Sequence, residues 1–199
     1  MKFLAACILT VLLMAPAAFA QARPEDGGHE FQVWTGGGYS SWGGVSHTGV
    51  WTTGARLGWI LTKPHGPGMP RGSFEFAVDV VPAFVVFQPK NIAYGVSVDP
   101  VVLKWDFESD HRIVPYAEIA GGVLFTNQTI PSGISRVNFT PQAAVGIHFL
   151  GRKFNWNVEV RYLHISDAGL TTLNPGINTI EARIGVGLFT RGHHTEHRP

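Results

Sequence analysis

The sequence predicts an all-β protein, an eight-stranded antiparallel transmembrane β-barrel of the outer-membrane type. Three observations carry this reading. Roughly eight segments alternate apolar and polar residues with period two, each about ten residues or longer, the length a strand needs to cross a bilayer. Their polar faces are built from Gly, Ala, hydroxyls and charges of both signs, which suits a narrow barrel interior, whereas a face in water carries Lys and Glu on long stems. The chain also opens with a secretory signal. The competing reading is a soluble sandwich or lipocalin-like barrel, which shows the same alternation with its polar face in water.

Composition narrows the classes. The 199 residues suffice for one domain, and only 15% are charged, against roughly a quarter in an average soluble domain. A formal net charge of +1 lacks the basic excess of a nucleic-acid binder. Within residues 1–20, Lys2 is a positive n-region, Phe3 to Met14 an apolar h-region and Ala18-Phe19-Ala20 a small-x-small cleavage site, so the mature chain is expected to start at Gln21. The h-region falls short of the ~20 residues of a spanning helix. Cys7 is the single cysteine, which leaves the mature chain without disulfides or thiol chemistry.

A polar leader, 21–28, precedes the barrel domain, 29–190. The expected strands are 29–39, 48–62, 73–86, 93–107, 113–126, 135–150, 154–166 and 177–190. In the second, Trp51, Ala55, Leu57, Trp59 and Leu61 oppose Thr52, Gly54, Arg56 and Gly58. In the third, Phe74, Phe76, Val78 and Val80 oppose Glu75, Ala77 and Asp79. The fourth switches parity near Pro100, where a bulge is expected because proline cannot donate to a ladder. In the sixth, Val137, Phe139, Ala143, Val145 and Ile147 oppose Arg136, Asn138, Thr140, Gln142 and His148. In the seventh, Val158, Val160 and Tyr162 oppose Glu159 and Arg161. In the eighth, Ile180, Ala182, Ile184, Val186 and Leu188 oppose Thr179, Glu181, Arg183, Gly185 and Gly187. An even strand count after a secretory signal places both termini in the periplasm and puts connections 63–71, 107–112 and 151–153 on that side.

The interior is expected to hold a charge network of Glu75, Asp79, Glu118, Glu159 and Glu181 with Arg56, Arg136, Arg161 and Arg183. Ser46-His47 reads as loop polarity. His193, His194 and His197, in the tail 191–199, read as a periplasmic extension in preference to a metal site. No nucleotide-binding or zinc-type motif is found, and no cofactor or metal is expected.

One stretch carries chemistry. In Arg161-Tyr162-Leu163-His164-Ile165-Ser166-Asp167-Ala168-Gly169-Leu170 a histidine and a serine sit two apart, so on a strand they share one face. Their parity is that of Val158 and Val160, which faces lipid, and they fall at the outer end of strand seven. A base beside a hydroxyl there is either a nucleophilic site or a polar strand end at headgroup depth.

Leu163-His164-Ile165-Ser166-Asp167-Ala168-Gly169-Leu170, with Asn174-Pro175-Gly176-Ile177, resembles the signature of the outer-membrane lipid A 3-O-deacylases, the PagL-like acyloxyacyl hydrolase family. That signature is roughly His-x-Ser-Asn-Ala-Gly followed by Asn-x-Gly-Ile. A weaker likeness runs through Gly54-Ala55-Arg56-Leu57-Gly58-Trp59, Phe74-Glu75-Phe76 and Pro115-Tyr116-Ala117-Glu118. The resemblance implies an eight-stranded barrel in the outer membrane that acts on lipid A of lipopolysaccharide and removes its ester-linked 3-O-acyl chain. It implies Ser166 as nucleophile, His164 as general base, an oxyanion hole at Asp167, Ala168 and Gly169, and loop support from Asn174. Two positions depart from it. Asp167 stands where the family has Asn, and a carboxylate beside an oxyanion repels it unless protonated or turned away. Asn178 stands where the family has its acid. An amide oxygen there can fix the imidazole tautomer but brings no charge. If the missing carboxylate limits turnover, Asn178→Glu raises the rate. The alternative is a structural or lipid-binding outer-membrane barrel whose catalysis is impaired.

Overall fold

The computed structural model describes residues 20–21, 23–173 and 175–192. Its strands are β1 (His29–Gly44), β2 (Gly49–Ile60), β3 (Gly72–Phe87), β4 (Ile92–Phe107), β5 (Ile113–Ile130), β6 (Ser135–Phe139 and Gln142–Phe149), β7 (Asn155–Ile165) and β8 (Ile177–Thr190). Each pairs antiparallel with its neighbours in sequence, and β8 pairs with both β7 and β1, which closes an eight-stranded barrel. A two-residue strand, Ala20–Gln21, adds to the end of β8 opposite Phe189 and Thr190. Closure leaves no long edge, so every spanning strand satisfies its backbone without water.

The alternation sets the two faces. Val80, Val96, Val145, Val158 and Val160 point out and are each about half exposed, which is burial in lipid once the barrel is in a bilayer. Aromatic side chains lie outward toward both rims. Trp59, Phe76 and Trp156 stand near the end that holds the termini, and Tyr39, Trp51, Tyr94 and Phe139 near the far end. Paired aromatic girdles of this kind match the two interfaces of a membrane.

The inward face holds the charges. Arg56 forks onto Asp79 at 2.8 and 2.9 Å and onto Glu118 at 2.6 and 2.9 Å. Arg161 bonds Glu118, and reaches Glu159 at 2.7 Å. Glu181 and Arg183 are buried inside and lie 3.4 Å apart, so Glu181 fills the interior as its parity implied. The inward glycines make room for these chains. A Cβ on Gly58 would strike the Glu75 carboxylate, and one on Gly146 the Tyr116 ring. The small-residue richness of the polar face is thus the complement of its long charged side chains.

Four features differ from the sequence reading. Arg136 is exposed and takes no part in the interior network, because it lies one residue in from the β5–β6 hairpin, past the barrel wall. Lys104, with Glu30 at 2.9 Å, Glu75 at 3.2 Å and Asp106 at 3.3 Å, forms a second interior cluster that the sequence reading missed. The register slip between Val98 and Val101 is the bulge expected near Pro100, and beyond it Lys104 and Asp106 face inward. β1 and β5 also run past their expected ends, to Gly44 and Ile130. Last, the inward side at the far end is not polar. Trp34, Val50, Phe84, Leu124, Ile130, Leu163, Ile165 and Ile177 form an apolar plug there. It seals the interior and fixes the β7–β8 hairpin from behind.

Candidate active site on the membrane face

β7 keeps its alternation to its end. Leu163 and Ile165 point into the apolar plug at 1% and 0% exposure, while Tyr162 and His164 point outward and are half-buried. Ser166 follows immediately. Its amide donates to Phe139 O at 3.1 Å and its carbonyl accepts from Phe139 N at 2.7 Å. That bridge puts Ser166 on the same outward face as Phe139. His164 N in turn donates to Pro141 O at 3.0 Å. Pro141 has no N–H and splits β6, yet its carbonyl still anchors the site strand. The backbone under the His164/Ser166 pair is therefore held on both sides of the split.

Asn178 is the direct cross-strand partner of His164. Its Oδ1 lies 2.6 Å from His164 Nδ1 and accepts the Tyr162 hydroxyl at 2.8 Å. Its Nδ2 donates to Trp42 O at 3.0 Å. The His164 ring lies over Gly176, whose φ is +63° and whose missing Cβ would sit 2.7 Å from His164 Cε1. Asp167 to Leu170 form a tight turn closed by Leu170 N to Asp167 O at 3.1 Å. Both central residues are left-handed, Ala168 at +55° and Gly169 at +82°.

A profile of the family described as Lipid A 3-O-deacylase (PagL) matches residues 30–187. The chain belongs to that family. No curated protein matches it by sequence. Among solved structures it is similar to the outer membrane enzyme PagL, with 23% identity, a TM-score of 0.56, and 77% of this chain and 97% of that one covered. It is also similar to the outer membrane protein OprG from Pseudomonas aeruginosa, with 9% identity, a TM-score of 0.51, and coverage of 84% and 98%. Neisserial surface protein A gives 12%, 0.50, and coverage of 83% and 97%. These likenesses establish the barrel fold.

Within this PagL-family barrel, the residues singled out in the sequence come together unevenly. His164 and Asn178 are in contact. Ser166 shares their face, and among the described residues no hydrogen bond joins its Oγ to His164. Catalytic hydrogen bonds are often long without substrate. Asp167 is turned away from the outward face. It accepts from Thr171 Oγ1 at 2.5 Å, Thr171 N at 2.9 Å and Gly169 N at 3.0 Å. The Thr171 hydroxyl and these amides hold its carboxyl below the usual carboxylate range. Asp167 is closed off by its own loop, but it sits at the rim of the molecule with little protein beyond, so hydrogen bonding outweighs desolvation. One consequence is that the Gly169 N–H is engaged by a side chain, which leaves the Ala168 N–H as the donor of that pair with no hydrogen-bond acceptor among the described residues.

Asn174, the expected loop support, lies outside the described residues, as do His193, His194, His197 and nearly all of the expected signal 1–20. Among the described residues, no group of three or more His, Cys, Asp or Glu side chains is placed to hold a metal ion. Sequence reasoning missed Tyr162 and Trp42. Tyr162 shares the parity of His164 two residues away, which was a usable signal. Trp42 is distant in sequence and gave none.

Proposed function

We propose that this chain removes the ester-linked 3-O-acyl chain of lipid A in the outer leaflet, with Ser166 as nucleophile and His164 as general base. The observation that carries this reading is the 2.6 Å contact of His164 Nδ1 with Asn178 Oδ1 on the membrane face, with His164 two residues from Ser166. An imidazole held through Nδ1 presents Nε2 to a hydroxyl, the arrangement of a base oriented by a third group.

In the reaction, Ser166 Oγ attacks the ester carbonyl while His164 Nε2 takes the hydroxyl proton. The tetrahedral oxyanion is met by the Ala168 N–H, with Gly169 N–H joining if it leaves Asp167. Collapse breaks the bond to the sugar oxygen, which takes the proton from His164 and departs as the free 3-hydroxyl. Water, deprotonated by His164, then cleaves the acyl-serine and releases the fatty acid. No cofactor enters these steps. Lipid-facing geometry suits a substrate that arrives by diffusion within the leaflet, and Asn174 is assigned to brace the loop beside it.

A second reading has its own support. The engaged Gly169 N–H and the amide at position 178 favour a barrel that binds lipid without cleaving it. The deciding experiment reconstitutes the protein with lipopolysaccharide and follows loss of one hydroxyacyl chain by mass spectrometry, alongside Ser166→Ala and His164→Ala. The expected result is loss in the native protein only. Loss in both variants rejects the assigned site, and no loss in any version selects the binding reading.

A further inference from the structure

We propose that Tyr162 is a positioning residue of this site and that, together with the main-chain carbonyl of Trp42, it lets an amide at position 178 orient His164 without a carboxylate. The inference rests on the assignment of His164 as base.

One group at Asn178 has a fixed role. Trp42 O is a main-chain carbonyl and can only accept a hydrogen bond. It lies 3.0 Å from the Asn178 side-chain nitrogen, so the NH2 of the amide faces Trp42 and the oxygen faces Tyr162 and His164. The amide oxygen also only accepts. Its 2.6 Å contact therefore requires the hydrogen of a neutral His164 to be on Nδ1. The lone pair is then on Nε2, the nitrogen that must take a proton from Ser166. The Tyr162 hydroxyl donates to the second lone pair of the same oxygen at 2.8 Å. The amide is held at both ends, at its nitrogen by a backbone carbonyl on another strand and at its oxygen by the phenol, and the tautomer of His164 follows from the two contacts together.

Trp42 reaches this position through an irregularity in the ladder. Ile177 pairs with Gly44 and Thr179 with Ser40, so three residues of β1 face the single residue Asn178 of β8. The excess bulges over Asn178. Gly43 accommodates it at φ +70°, and Ser41 Oγ bonds Asn178 O at 3.3 Å. The Trp42 ring stacks on Tyr162 at 6.1 Å and 17°. One bulged residue thus supplies the carbonyl that orients the amide and the ring that holds the phenol.

This arrangement is matched to Asn. A carboxylate at position 178 would set a second acceptor against Trp42 O, with no hydrogen between them. The rate gain expected of Asn178→Glu when the chain is read without its fold is therefore reversed.

The test uses the full barrel in lipopolysaccharide-containing bilayers. Tyr162→Phe is expected to lower kcat about tenfold, what one neutral hydrogen bond is worth, with KM unchanged. Asn178→Asp is expected to be slower than the native protein at neutral pH. The His164 nitrogen-15 shifts are expected to show Nδ1–H in the native protein and a tautomer mixture in Tyr162→Phe, a readout that needs no turnover. Native kcat in Tyr162→Phe, an Asn178→Asp as fast as the native protein at neutral pH, or a tautomer that Tyr162→Phe leaves unchanged would overturn the inference. Ser166→Ala separates the two levels. If it still deacylates, the assigned reaction has failed. If it is dead while Asn178→Asp stays fast, only the positioning role has failed.

Discussion

The hydroxyl of Thr171 donates to the carboxylate of Asp167 at 2.5 Å, and the Thr171 amide donates to the same oxygen at 2.9 Å. Together with the Gly169 amide they latch the turn behind the proposed nucleophile. Because these bonds favour the charged form, the folded pKa lies below the ordinary 3.8. A depressed carboxylate contributes stability that is fully present above its unfolded pKa and is lost as pH falls through its folded one. The latch is thus expected to stay intact from pH 8 down past 5 and to open only below the usual carboxylate range. Amide exchange at Gly169 and Thr171, corrected for intrinsic rates, checks this. Protection that fades between pH 7 and 5 would contradict it. Thr171→Val, which removes the first donor, should move the opening midpoint up in pH.

Gly176→Ala tests the floor of the site. The residue sits at φ +63°, and its added Cβ would lie 2.7 Å from His164 Cε1. The imidazole cannot sink away, because Leu163 and Ile165 behind it are packed into the apolar plug. It must move outward, off Asn178. Misplacement of a catalytic group by about 1 Å costs on the order of a hundredfold in rate. That loss is expected in the mass-spectrometric assay, with the barrel still migrating as a folded species in unheated gels. A folded Gly176→Ala of native rate would show that the ring position does not govern activity.

What could be read from the sequence followed from regularity. β7 alternates without a slip from Asn155 to Ile165, so the parity of Val158 and Val160 carried correctly to His164. β8 does the same from Thr179 onward, which placed Glu181 inside. Where the ladder slips, parity carries on only if the sequence marks the slip. The proline marks the one near Pro100, whereas nothing marks the one opposite Asn178, which hid Trp42. Arg136 failed for another reason, because its parity extended beyond the wall that gives parity meaning. The turning away of Asp167 was invisible too, since it depends on Thr171 curling back within a turn with no strand period.

The interior cluster makes a stability prediction with a built-in contrast. Lys104 is fully buried and is within 3.3 Å of Glu30, Glu75 and Asp106. Lys104→Met strands three carboxylates away from water, and breaking a buried pair in this way costs about 3–5 kcal/mol. The Arg71–Glu108 pair at 2.6 Å is 46% and 43% exposed, so Arg71→Ala should cost no more than about 1 kcal/mol. Denaturant unfolding of the reconstituted barrels measures both. Equal losses would mean that the interior is wetter than its packing implies.

The last prediction concerns the outer face at mid-barrel. Val160 lies outward between Ala182 on β8 and Val145 on β6, and it is 53% exposed in the isolated chain. If that exposure is to lipid, Val160→Arg buries a charge near the bilayer midplane and costs roughly 2–4 kcal/mol, whereas an arginine near the interface costs roughly 0–1. Tyr39, at the far rim of β1 and 56% exposed, is the matching interface position. Unfolding in bilayers should therefore rank Val160→Arg well below Tyr39→Arg. In water Val160 would be an ordinary surface site, where substitutions usually fall within about ±0.5 kcal/mol, and the two variants would be indistinguishable. The ranking thus tests, residue by residue, whether the face that carries His164 and Ser166 is the one that meets the membrane.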